Sequence, residues 1–104
     1  MKKIFKNSGV PFNIEEARAL SAKLQHEGVK GVVEHRSVCG YSTPQLAEKA
    51  NKNAILDTYK DYTTLFIGTE YCTFEGYKVV FIGVKELPEY FFEKYSNYSL
   101  GIYY

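Results

Sequence analysis

The stretch of the chain richest in chemical groups is Glu34-His35-Arg36-Ser37-Val38-Cys39-Gly40-Tyr41-Ser42-Thr43. It sets a carboxylate, an imidazole, a guanidinium, a thiol, a phenol and three aliphatic hydroxyls around one glycine. Three kinds of chemistry could use it. Cys39 could be a nucleophile activated by His35 with Glu34 orienting the imidazole, because a thiol beside a histidine and a cation ionises nearer neutrality. Glu34, His35, Arg36 and Tyr41 could act as base, acid, phosphate clamp and oxyanion stabiliser of a small ribonuclease, since phosphoryl transfer needs such groups around one phosphate. The run from Cys39 to Thr43 could cradle a small anion or nucleotide with free backbone N–H groups and hydroxyls, Arg36 adding a second donor.

The elements that must carry these groups narrow the choice. Residues 29–36 are rich in valine and read as a strand, with Gly31 allowing a bulge or close packing. Alternation then places Val29, Gly31, Val33 and His35 on one face and Val32, Glu34 and Arg36 on the other. Glu34 thus pairs more naturally with Arg36 than with His35, which weakens both the Cys39 triad and the ribonuclease. Thr43 followed by Pro44 is a helix start, so Ser42 and Thr43 have capping work to do without any ligand. An enzyme built here would rely on His35, Cys39 and Arg36. The expectation is instead no catalytic residue, with Arg36, Tyr41, Ser42 and Thr43 as binding contacts.

Residues 13–27 carry the strongest helix pattern. Asn13 is the N-cap, Glu16 completes a capping box, Phe12 and Ala17 can staple the entry, and Ile14, Ala17, Leu20 and Leu24 form one stripe before Gly28 ends it. His26, in the last turn, suits the negative end of the helix dipole. The second helix offers a narrow face of Leu46, Ala47, Ala50 and Ala54. From Tyr62 to Val84 the pattern is a β-hairpin with Glu75-Gly76 as its two-residue turn. That register sets Phe74 opposite Tyr77, Cys72 opposite Val79 and Gly68 opposite Gly83, so the repeated Phe-Ile-Gly would place two glycines together, for a bend or a bulky neighbour. Pro88 opens a short helix with Phe91, Phe92 and Tyr95 on its core side. Ser99 to Tyr104 alternates like a strand, and its closing Tyr103-Tyr104 pair suggests docking.

The order is therefore extended segment, α, β, α, hairpin, α, β. It predicts one α+β domain over residues 1–104: a two-layer sandwich with a mostly antiparallel or mixed sheet of four or five strands and two or three helices mainly on one face. Its opening, NIEEARALSAKLQHEG followed by a valine strand, resembles the α/β half of ferredoxin-like and SPOR-type modules, which implies helix-on-sheet packing and no particular activity.

Composition bounds the function. An apolar share of 45% and a charged share of 24% are those of a folded globular domain rather than a disordered chain or coiled coil. A net charge of +1 disfavours nucleic acid as a general partner. No stretch has the apolar length of a membrane span, and no apolar run follows the basic start as a signal peptide requires. Cys39 and Cys72 form no CxxC and are accompanied only by His26 and His35, so no metal or other cofactor is expected. In the cytoplasm, the expected setting, both thiols would be free.

The ten tyrosines and seven phenylalanines, with no tryptophan, are the compositional anomaly. Tyr71 and Tyr77 lie among nine tyrosines of the second half, and tyrosine-rich, weakly charged surfaces are what protein interfaces use. The expected function is accordingly non-enzymatic binding to a larger protein. The alternative is a small domain that binds an anionic ligand or nucleotide, or transfers phosphoryl groups as a ribonuclease does, centred on His35, Arg36 and Tyr41; in either case the edge of the last strand could support a homodimer. Small size and 11 lysines against 2 arginines are similar to phage proteins that inhibit host defence machinery, anti-CRISPRs among them, for which the compartment would be the host cytoplasm.

Overall fold

The computed structural model describes residues 2–103. The elements are β1 (Lys2–Asn7), β2 (Val10–Pro11), α1 (Ile14–His26), β3 (Val32–Arg36), α2 (Pro44–Thr58), β4 (Thr63–Cys72), β5 (Gly76–Val84), α3 (Phe91–Lys94) and β6 (Tyr98–Tyr103). They form the expected α+β domain on a mixed sheet, with six strands where four or five were anticipated because the two-residue β2 folds back on β1. β4 and β5 are the central antiparallel pair; β3 lines the far side of β5, and β1 runs parallel to β4 with β6 antiparallel to β1.

β5 explains the layering. Its run Val79-Val80-Phe81-Ile82-Gly83-Val84 is apolar at every position and wholly buried, the mark of a strand covered on both faces. Val80, Ile82 and Val84 pack with Ala17, Leu20 and Leu24 of α1 and with Phe91 of α3. Val79 and Phe81 pack with Ala47 and Ile55 of α2. Two helices thus share one face, and α2 covers the other.

The helix ends follow local chemistry. Glu16 N–H donates to the Asn13 carboxamide oxygen at 2.8 Å, and Asn13 N–H donates to the Glu16 carboxylate at 3.2 Å, which closes the capping box. Thr43 caps α2 by accepting from Leu46 N–H, with Pro44 in the first turn. The buried stripe of α2 steps by four residues, through Ala47, Asn51 and Ile55 to Tyr59. Leu46 is therefore 49% exposed, and Ala50 and Ala54 also face outward, where the sequence pattern had them inward.

The hairpin register differs from expectation by three residues. Cys72 pairs with Gly76 and Tyr71 with Tyr77, leaving Thr73-Phe74-Glu75 as the loop. Glu75 N–H donates to the Cys72 carbonyl at 2.8 Å, and the turn takes positive φ twice, at Phe74 (66°) as well as at Gly76 (92°). Gly76 also admits a close backbone pass, since a Cβ there would stand 2.7 Å from the Tyr41 carbonyl oxygen. Gly68 faces Val80 and Gly83 faces Thr64, so the glycines do not meet. Each instead lies under the ring two residues earlier: a Cβ would come within 2.7 Å of Phe66 at one site and 2.5 Å of Phe81 at the other. The Phe-Ile-Gly repeat is thus a phenylalanine folded along its own strand, once on each face of the sheet.

Phe5 centres the α1-side core. Its ring meets Phe12, Phe91, Phe92 and Tyr98 with centroids 5.4 to 5.8 Å away. The anticipated docking of Tyr103-Tyr104 concerns side chains outside the described part. Phe5→Ala should lower the unfolding free energy by about 3–5 kcal/mol, read from urea titration, since it empties the centre of an aromatic cluster.

Candidate functional site

The notable site is the far end of the β4–β5 hairpin. Past Arg36, where β3 ends, the chain stays alongside β5. Ser37 N–H donates to the Val79 carbonyl at 2.9 Å, and Val79 N–H donates back to Ser37 Oγ at 2.9 Å. Tyr77 N–H then donates to the Tyr41 carbonyl at 2.8 Å, and Tyr41 N–H returns a bond of 3.4 Å. The intervening loop carries Cys39, which forms a disulfide with Cys72 at the end of β4, their Cα atoms 6.5 Å apart.

This overturns the expectation of two free thiols. The partners are 33 residues apart in sequence, and only the pairing of the 37–41 segment with β5, itself bonded to β4, brings them together. Cys39 in this state has no thiol to offer a nucleophilic mechanism.

Three large apolar side chains project here, each within two residues of a half-cystine. Phe74 is 97% exposed, Val38 74% and Tyr71 58%. Tyr71 leans on its cross-strand partner Tyr77 with ring centroids 5.1 Å apart, and Tyr77 and Tyr41 are half-buried against the α2-side core. The sequence had singled out Tyr71 and Tyr77 at this end, but not Phe74 or Val38: the assumed register paired Phe74 inside the hairpin, and the Thr73-Phe74-Glu75-Gly76 run after Cys72 was the available signal.

The other residues singled out by the sequence separate. His35 faces α2, with Nδ1 2.9 Å from the Tyr59 hydroxyl and its ring edge-on to Tyr59, which stacks on Phe81. Arg36 lies on the opposite face, its Nε 2.9 Å from the Glu34 carboxylate, the strand-face pair anticipated from alternation. Thr43 is occupied as a cap, and Ser42 is exposed. His35 and Arg36 therefore approach no common point.

Glu34 belongs to an ionic cluster across the α1-side face. Arg18 of α1 bonds both oxygens of Glu34 on β3, at 3.2 and 3.1 Å, and both oxygens of Glu70 on β4, at 2.9 and 3.2 Å. Lys78 of β5 stands 3.3 Å from Glu70. The Arg18 guanidinium, helped by Lys78, holds the Glu70 carboxyl below its ordinary value, and the two carboxylates push Arg18 further up. One side chain thereby ties α1 to the strands flanking β5 on either side.

No protein-family model, no curated protein and no solved structure matches the chain. No helix among the described residues is long and apolar enough to cross a membrane.

A depressed carboxyl contributes stability above its unfolded pKa and loses it as pH falls through the folded one. Arg18→Ala should therefore cost about 1 kcal/mol at neutral pH, a modest figure because the groups are partly exposed. In denaturant titrations across pH, that difference should shrink as pH drops below the ordinary carboxyl value of 4.5.

Proposed function

We propose that this chain is a small non-enzymatic interaction protein that inserts its hairpin tip into an apolar pocket of a larger protein. The observation that carries the reading is Phe74, a nearly fully exposed phenylalanine at φ 66°. A side chain in that backbone region costs on the order of 1–2 kcal/mol. An exposed ring returns nothing to its own fold, whereas burying it in a partner is worth about 1.5–3 kcal/mol.

The surroundings suit an anchor. A disulfide and the paired backbones of Tyr41 and Tyr77 hold the loop in one shape before any encounter, which reduces the ordering cost of binding. Tyr71 and Val38 supply flanking apolar area at the same end. The narrower identity, an inhibitor of host defence machinery of the kind phages encode, rests on chain size and lysine usage. The anionic-ligand alternative has less geometry behind it, because His35 is engaged by Tyr59 and Arg36 by Glu34.

The test is affinity capture from the native cell, with the captured protein then titrated against variants by calorimetry. Phe74→Ser should weaken binding at least about tenfold, the order of one lost hot-spot ring, with the thermal midpoint unchanged. His35→Ala should leave binding intact. Retained binding by Phe74→Ser together with loss in a folded His35→Ala protein would remove this reading.

A further inference from the structure

We infer that the reduced form of the protein binds one thiophilic divalent cation of the Zn2+ class through Cys39, Cys72 and Glu75. The Sγ atoms of the two cysteines and a carboxylate oxygen of Glu75 all lie within 4.8 Å of one another. Two thiolates and a carboxylate are a donor set for Zn2+, whereas sulfur disfavours the hard cations Mg2+ and Ca2+.

The argument turns on what holds these three groups when the disulfide is absent. Cys39 is bracketed by hydrogen bonds to β5 at Ser37 and Tyr41, and none of them involves sulfur. Glu75 is fixed to Cys72 by its own N–H bond to the Cys72 carbonyl. Reduction therefore leaves two thiols and a carboxylate facing one small volume on an intact scaffold. Two Zn–S bonds of about 2.3 Å at a tetrahedral angle put the sulfurs about 3.8 Å apart, within reach of side-chain rotation from Cα atoms 6.5 Å apart.

The electron and proton balance is simple. A dithiol reductant gives two electrons and two protons to the Cys39–Cys72 bond and becomes a disulfide itself. The two thiols then release their protons as the cation binds, and a Glu75 carboxylate oxygen supplies the third donor. Three protein ligands leave a fourth position for water or for a side chain of another molecule. Phe74 lies between Cys72 and Glu75, so the chelate ring closes across the tip and holds it as the disulfide does. The sequence alone argued against a metal because Cys39 and Cys72 form no CxxC and only two histidines accompany them; the fold supplies the proximity instead.

The experiment uses the full chain, reduced with a dithiol that is then removed without oxygen, and titrated with Co2+ as a spectroscopic stand-in for Zn2+. A thiolate-to-cobalt charge-transfer band should grow, saturate at one equivalent and vanish on adding Zn2+, and the oxidised protein should show none. Cys39→Ser should abolish the band. Glu75→Gln, which keeps both thiols and the hairpin backbone, should weaken apparent affinity at least about tenfold, circular dichroism confirming that it is folded. A reduced protein with no band, saturation at half an equivalent, or a Glu75→Gln protein that binds as tightly as the native one would each overturn the assignment. None of these readings depends on the protein partner proposed above.

Discussion

Every other element of the fold is arranged around the burial of one strand. β5 hydrogen-bonds to β4 on one edge and β3 on the other, and its side chains alternate between the α1-side and α2-side cores. A strand of valines, isoleucine and phenylalanine has no polar face to give to water, so the chain must find two covers for it. α1 is the stronger cover, with Ala17, Leu20 and Leu24 inward and the Phe5 aromatic cluster beside them. α2 is the weaker. It brings Ala47 and Ile55, and the tyrosines Tyr41, Tyr59, Tyr62 and Tyr77 fill the space its small residues leave. That is one physical reason for a tyrosine-rich composition: a ring with an apolar body and a polar tip suits a thin layer near water.

What could be read directly was local. The capping box of α1 and the Thr43-Pro44 start of α2 depend on residues at most four positions apart, and both formed as the pattern indicated. The two faces of β3 were also legible, since alternation needs no partner; the Glu34–Arg36 ion pair and the opposite placement of His35 follow from it. The hairpin register was not, because a positive φ is expected at glycine alone and here Phe74 takes one as well as Gly76, moving the pairing by three residues. Gly76 also allows the close pass of Tyr41's backbone. The disulfide was hidden for a different reason. Its proximity is a product of three strands in register, and spacing along the chain carries no trace of that.

The Phe5 ring cluster and the exposed hairpin tip stand apart. The rings around Phe5 gather where β1, β6, α1 and α3 meet, while Tyr71 and Phe74 project at the end of β4 and β5, in a body 42 Å long and 27 by 23 Å across. The Arg18 cluster lies between, linking α1 to β3 and β4. A side chain at the tip can therefore change without removing any contact in the aromatic core. Conversely, the tip draws its rigidity from local bonds: the disulfide, the Tyr41–Tyr77 bridge and the Ser37–Val79 pair.

The parallel pairing of β1 with β4 has a mechanical consequence. β4 runs toward the tip, so β1 begins, and its antiparallel neighbour β6 finishes, at the opposite end, where Lys2 and Tyr103 are paired. A tensile load between the hairpin tip and the Lys2–Tyr103 pair acts along the strands, at right angles to the ladder hydrogen bonds. Bonds loaded in shear must yield together, whereas bonds peeled from one end yield one at a time. The sheet is thus oriented to resist tension between its two ends.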